Sequence, residues 1–547
     1  MKPNKFGLLP CAALLAALAC DEPLAIDNKN NPDIDRVYAT PAGVEAVVSR
    51  LYQQVYVGMY NTSTSIWPAL AVMAFESASQ LGNFGMGTQA AIPRGPIDNQ
   101  RGNREESEHF RVFDVSSRNA RSAANAVAAL DRFRENGQSI GTAQRDARAK
   151  SFAYFAHGFA LGNLALFYDS AGVPQPGMGA QEIPPLEGAA AVMEQALASL
   201  DSALAISQTA DAAGLTIPSD WVASVGGGGM SLDQYQRMVR SFRARFRANV
   251  ARTPEERAAV DWDKVIADAT TGLTADLLVN QSTVTGWQIN WISQAAVQGW
   301  HQLPYMVAGM ADTSGAYDAW LATPLDDRQQ FLIKTPDTRF PSGETRPEQQ
   351  AKAPGTVREP PAGSGLYIRN RPAGEDTPAQ PWGTSQYDYF RFWGYTAKNF
   401  IDYPWPIMTR AEVDLLAAEG YLRKGNFAAA ATLINRTRVP RGLPSVAGIA
   451  DLATPVPGGR ACVPRVPAAP SFTSAVCGNI LEALKWEKRM ETAFTGYGQW
   501  FLDSRGWGDL PQATPLDYPV PYQEMDARAQ PFYDSRNHAA AKGTYGV

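Results

Sequence analysis

The sequence predicts an all-α-dominated protein of tetratricopeptide-like helical hairpins, with a loop-rich, aromatic-rich subdomain set among them. Three observations carry this prediction. Apolar residues recur at i, i+3 and i+4 over much of the 547 residues. Several such runs come in close pairs, with small residues interleaved among large ones. Between residues 281 and 400 the period fades, while Gly, Pro, Thr and aromatic residues rise.

The first residues stand apart from the fold. Lys2 and Lys5 precede the short apolar run Phe6 to Ala19, which is too short to span a bilayer and reads as a leader over 1–19. Ala17-Leu18-Ala19-Cys20 resembles a bacterial lipobox, with Ala17 where Leu is usual, so Cys20 is the expected acylation site. A plain secretory leader with a chance Cys is the other reading. Residues 20–40 are polar and turn-rich and read as a lipidated tether. Losing Lys2 and Lys5 with the leader takes the formal net charge from -5 to -7. Cys462 and Cys477 are then the remaining thiols, and an exported chain favours a Cys462–Cys477 disulfide over a metal site, since no His lies nearby in sequence.

Residues 41–280 read as helical repeats. Thr40 caps a helix with Pro41 at its first position, and Val44, Val47, Val48, Leu51 and Val55 form its stripe. A helix to about Leu81 carries Trp67, and another holds Ala120 to Phe133. In Lys150 to Tyr168, Phe152, Phe155, Phe159 and Phe167 alternate with Ala and Gly, which lets neighbouring helices come close. Ala189 to Ile206 follows. Ser231 and Gln234 form a capping box ahead of a stripe from Tyr235 to Val250, and Asp261 caps the partner helix.

Residues 281–400 read as a loop-rich ligand-binding subdomain. Trp287 and Trp291 share a face if helical, and Trp300, Tyr305 and Trp320 follow, with Gln288, Asn290, Gln294, Gln298 and Gln302 among them. Sugars stack their C–H faces on such rings, while amides take their hydroxyls. Trp67, Trp287, Trp291, Trp300, Tyr305 and Trp320 are therefore the candidate ligand contacts. Each has a second reading, as a core residue.

Residues 401–547 hold the last pair and a closing segment. Thr409 caps Arg410 to Lys424, Gly425 stops it, and Asn426 caps Phe427 to Arg438. From Asn479, Ile480, Leu481, Leu484, Met490 and Phe494 form an apolar stripe, with Glu482, Glu487, Lys488, Arg489 and Glu491 on the opposite face. Trp500, Phe501 and Trp507 are expected to bury, and Asp503 to pair with Arg505 or Arg489. Pro519 to Glu524 reads as extended.

Composition excludes several classes. Hydrophobic content of 45% and charged content of 19% are ordinary for a globular chain. Basic residues do not cluster on one predicted element, so nucleic acid is a poor partner. The four His are not in metal-ligand spacing. No nucleophile elbow, phosphate loop or dinucleotide fingerprint occurs, and no catalytic residue, metal or cofactor is expected.

The pieces in their order resemble the SusD/RagB family of outer-membrane nutrient-uptake lipoproteins. The resemblance covers nearly the whole chain. It rests on Cys20, Thr40 to Glu45, Ala149 to Pro174, Arg410 to Glu419, Asn435 to Arg438 with Leu443-Pro444, Glu487-Lys488-Arg489, Trp500 to Arg505, and Pro519 to Glu524. Thr495 stands where the family usually has Glu, which marks a divergent member. The resemblance implies a SusD-like α/α superhelix and a non-catalytic protein, lipid-anchored in the outer membrane and facing the exterior. It implies capture of an oligosaccharide, or a peptide in some members, for a SusC-like TonB-dependent transporter. Asp21-Glu22 is similar to the acidic signals that send lipoproteins outward. Two alternatives stand beside it: a surface glycan hydrolase with facing carboxylates, and a repeat scaffold that binds only protein partners.

Overall fold

The structure is a computed structural model that describes residues 37–60, 65–79, 85–103, 109–179, 182–282, 284–287, 301–354, 363–372, 385–392, 402–495, 497–535 and 538–547. Helices dominate. In α1 (Pro41–Tyr60), the Gly43 N–H donates to Thr40 Oγ1, and Val44, Val48, Leu51, Tyr52, Val55 and Tyr56 are buried along one stripe. The helix expected to reach about Leu81 is instead the short α2 (Trp67–Met73). It is buried on all sides, and Phe75 at φ 57° ends any continuation before strand β1 (Ala78–Ser79).

α3 (His109–Glu135) and α4 (Ala143–Phe167) both start earlier than the periodicity predicts. Ser116 and Ser117 obscure the first turns of α3, although Val112 and Phe113 continue its buried face. Thr142 sets the start of α4 by accepting the Arg145 N–H. α4 then runs through the interior between α5 (Ala189–Ser207) and α6 (Leu232–Asn249). A Cβ on Gly158 would lie 2.6 Å from the Ala196 carbonyl oxygen, and one on Gly162 would lie 2.1 Å from the Phe246 ring, so both neighbours sit directly on the glycines. The capping box of Ser231 with Gln234 is formed, and Asp261 caps α7 (Trp262–Thr270).

The chain leaves the helices through β2 (Leu277–Ser282) and returns through β6 (Asp402–Met408), which pair antiparallel with a bulge between Pro406 and Met408. Both ends of the excursion are thus fastened together. Within it, β3 (His301–Gln302), β4 (Ile368–Asn370) and β5 (Tyr387–Tyr389) join β1 in a sheet of order β1-β3-β5-β4. The largest apolar core runs continuously from Val44 to Tyr545 and includes Tyr305, α8 (Ala316–Ala322) and Tyr387.

α9 (Arg410–Arg423) and α10 (Phe427–Arg438) form the last hairpin, capped by Thr409 and Asn426. α9 is buried on two faces. Val413, Leu416 and Ala417 enter the main core, while Leu415, Ala418 and Leu422 build a second core with α10 and Ile480, Ala483 and Leu484. Beside it the Cys462–Cys477 disulfide closes a short hairpin, β7 (Arg465–Pro467) with β8 (Ala475–Cys477).

The closing segment departs most from expectation. α11 (Ile480–Thr492) and α12 (Gln499–Trp507) are there, and Trp500, Phe501 and Trp507 are buried. The charged face of α11 is buried too, with Glu487 and Lys488 fully enclosed. Lys488 Nζ reaches Asp503 Oδ1 at 2.7 Å, and Arg489 Nη2 reaches Asp509 Oδ2 at 2.5 Å. Arg339 Nη1 reaches Glu487 Oε2 at 3.0 Å. Asp503 therefore pairs with Lys488, and with Arg257 at 3.3 Å, rather than with Arg505 or Arg489. Arg505 instead donates to the Leu516 and Asn249 carbonyls. After Pro521 the chain turns into the helix Tyr522–Ala527, so the closing stretch is extended only as far as that proline.

Arg257 is the hub of this interior. It holds Glu419 through Nε at 2.9 Å and Nη2 at 2.7 Å, and Trp507 donates to the same carboxylate. Burial pushes the Glu419 carboxyl up, but Arg257, Lys488 and Arg423 outweigh it and hold it at about 2. Truncating one partner of such a buried pair strands the other charge, so Glu419→Gln is expected to cost about 3–5 kcal/mol in denaturant unfolding. Lys424→Ala, which removes the exposed Lys424–Asp263 pair, is expected to leave the unfolding midpoint unchanged.

Candidate functional site

Four of the six candidate aromatics lie in the core. Relative exposure is 0% for Trp67, 1% for Trp287, 2% for Tyr305 and 5% for Trp320, which leaves none an open face on which a sugar could stack. Trp287 packs against Tyr52 at 5.7 Å and Tyr56 at 5.3 Å, and its Nε1–H donates to the Asp220 carbonyl. Tyr305 stacks on Phe331 at 4.3 Å and lies 6.0 Å from Trp320, which also meets Phe331, Tyr317 and the Arg328 guanidinium. Trp67 meets Phe494 edge-on at 5.4 Å. The structure thus brings Tyr305 and Trp320 together. It sets Trp67 and Trp287 among other partners. Trp291, Trp300 and Cys20 lie outside the described residues. A large ring that covers a core and one that faces a ligand leave the same mark in a sequence, because both sites favour wide apolar surface.

Beside Trp67 lies a buried carboxyl that the sequence does not single out. Glu76 accepts the Phe494 N–H at 2.9 Å, and its own carbonyl accepts the Tyr389 hydroxyl at 2.7 Å. Burial pushes its carboxyl up to about 8, against smaller lowering contributions from the Phe494 N–H and the Trp67 indole. His157, on α4, is likewise interior. Its Nδ1 lies 2.8 Å from Ser199 Oγ and its Nε2 lies 2.9 Å from the Pro174 carbonyl, and burial lowers it to about 4. Among the described residues, no group of three or more His, Cys, Asp or Glu is placed to hold a metal.

Open space lies next to the Trp287 loop. A depression of about 820 Å³ is walled by α1, α3 and Val284 to Gly286. Its shape follows from small residues and one anchored turn. A Cβ on Gly58 would lie 2.6 Å from Val115 Cγ1, so α1 and α3 touch there and form its floor. The buried Trp287 ring fixes the loop from below, and the Ser282 N–H donates to the Trp287 carbonyl at 2.6 Å to close the turn. Gln53 Nε2 donates to the Thr285 carbonyl at 2.9 Å, and Gly286 at φ 78° keeps its backbone clear of that amide. Gln53, Gln54 and Ser122 offer amide and hydroxyl groups, and Arg50, Arg111 and Arg118 offer guanidiniums.

A second depression, of about 730 Å³, lies over α6 and the closing segment. Its charges satisfy one another. Arg252 and His538 share Asp517, while Tyr533 donates to Asp169.

No family model matches the chain, and no curated protein matches it by sequence. Solved structures do match it along most of its length. A SusD superfamily protein from Parabacteroides distasonis ATCC 8503 is 11% identical, over 89% of this chain and 97% of its own, with a TM-score of 0.53. A SusD superfamily protein from Bacteroides vulgatus ATCC 8482 is 13% identical, over 90% of each chain, with a TM-score of 0.52. One from Bacteroides fragilis is 13% identical, over 89% and 98%, with a TM-score of 0.50. The molecule is thus a helical-repeat protein with a long inserted excursion. Its fold is that of the SusD superfamily.

Trp287→Ala is expected to cost about 3–5 kcal/mol in unfolding, as removal of a core aromatic does. Glu76 sets a pH dependence. Its folded value lies above the ordinary 4.5, so the folded protein keeps a proton that the unfolded chain has lost, and stability falls as pH rises from about 4.5 to about 8. Glu76→Gln is expected to flatten that part of the curve when melting temperatures are compared at about pH 5 and about pH 8.

Proposed function

We propose that this protein captures a nutrient ligand at the surface of an outer membrane and passes it to a TonB-dependent transporter, without chemistry of its own. The observation that carries the reading is the fold, which follows SusD superfamily proteins along about nine-tenths of the chain. The leader ending at Cys20 and the closing sequence from Glu487 to Glu524 support it. In this reading Cys20 carries the lipid, residues 41–280 and 401–547 form the helical frame, and residues 281–400 meet the ligand. The ligand is an oligosaccharide or, in second place, a peptide. Trp291 and Trp300 follow the buried Trp287 in sequence and serve as stacking residues. The depression beside Trp287 supplies the polar half of the site, since ligand sites pair apolar surface with a few convergent polar groups.

Purified residues 21–547, screened against oligosaccharides and peptides, are expected to bind a member of one class and return it intact. Hydrolysis of a bound oligosaccharide by the protein alone would sink the binding-only reading. A chain that binds neither class yet co-purifies with a barrel protein would favour the scaffold alternative. Cys20→Ala is expected to move the protein from the membrane to the soluble fraction, and continued membrane fractionation would count against the anchor.

A further inference from the structure

We infer that the depression between α1 and α3 binds an anionic group, a carboxylate or a sulfate ester, carried by the captured oligosaccharide. The inference rests on the capture reading above and adds the chemical class of the ligand. Among the described residues, Arg50, Arg111 and Arg118 line this depression and no Asp or Glu does. Elsewhere several enclosed arginines are matched to acids, as Arg245 with Glu412, Arg257 with Glu419 and Arg339 with Asp337, while Arg94 and Arg505 are met by backbone carbonyls. Here the matching is incomplete. Arg118 pairs with Asp114 on its own helix. Among the described residues, Arg50 reaches the Gln53 side-chain oxygen at 3.1 Å and no acid. Arg111 is half-buried, and its Nε is enclosed without a partner among the described residues.

Its position adds to this. Arg111 and Arg118, seven residues apart on α3, both line the depression from one helix face. A guanidinium presents a planar fork that matches a carboxylate or sulfate through two parallel hydrogen bonds. Gln54 and Ser122 stand nearby to take sugar hydroxyls. The volume of about 820 Å³ falls in the range of ligand sites.

The test is calorimetric titration of the full chain, purified in detergent, with three oligosaccharides of equal length: an oligogalacturonide, a sulfated galactan fragment and a neutral galactan fragment. An acidic ligand is expected to bind at least about tenfold more tightly than the neutral one, and to weaken as salt rises. Arg111→Gln is expected to weaken the acidic ligand at least about tenfold more than it weakens the neutral one. Val284→Glu is the safer companion, because Val284 is 89% exposed and its replacement disturbs no packing; it is expected to repel the acidic ligand alone. The carboxylate and sulfate arms distinguish the two sources of charge. Neutral binding equal to acidic binding, unchanged in both variants, would overturn the inference and leave the capture reading standing. Absence of binding by all three, with binding of a peptide or of nothing in the broader screen, would overturn both the inference and the oligosaccharide reading. Glu105, Glu106 and Glu108 precede α3 in sequence. Acidic binding that emerges only when all three are replaced by Gln would also overturn it, because the chain's own acids would then be the anion.

Discussion

The placement of Arg257 constrains most of the interior. One guanidinium joins Glu419 on α9 to Asp503 on α12, and Lys488 on α11 completes the cluster through Asp503. These residues come from three distant parts of the chain, and none is exposed. Coulombic attraction in such surroundings barely offsets the cost of removing the charges from water, so the cluster adds little net stability. It acts by exclusion. An arrangement of these helices that leaves one charge without its partner is strongly disfavoured, so their register is fixed. Arg245 with Glu412 repeats the device between α6 and α9.

The excursion is held by the same means. Its ends are joined by β2 and β6, its sheet borrows β1 from the N-terminal helices, and Arg339 is enclosed by Asp337, Glu487 and Glu491. Trp486 donates to Asp337 from the helix side. A region rich in loops therefore has a firm base.

The helical frame was largely legible. Caps at Thr409, Asn426 and Asp261 depend on local hydrogen bonds, and they fall where the sequence places them. The burial of the polar face of α11 is not legible in the sequence, because periodicity reports which residues are alike, not which face meets water. Glu487 and Lys488 look solvated until Arg339 and Asp503 arrive from residues far away. The short α2 was missed for a similar reason, since Phe75 leaves the helix through tertiary packing and not through a Gly or Pro. At the candidate site, Trp287 reads as a ligand platform, but it is buried against Tyr52 and Tyr56. The arginines of the depression were invisible because they lie on two separate helices and converge only where Gly58 lets those helices touch.

The enclosure of Arg339 bears on how such a protein can diversify. If the excursion were exchanged between relatives as a cassette, joining at β2 and β6 would not suffice. Glu487 and Arg438 belong to the recipient frame, while Asp337 and Arg339 travel with the insert. A graft lacking the Asp337–Arg339 pair would leave a carboxylate facing a cavity shaped for its partner. Sequence change should therefore accumulate in the segments strung between such fixed points, and the charged joint should change only when both of its sides change together.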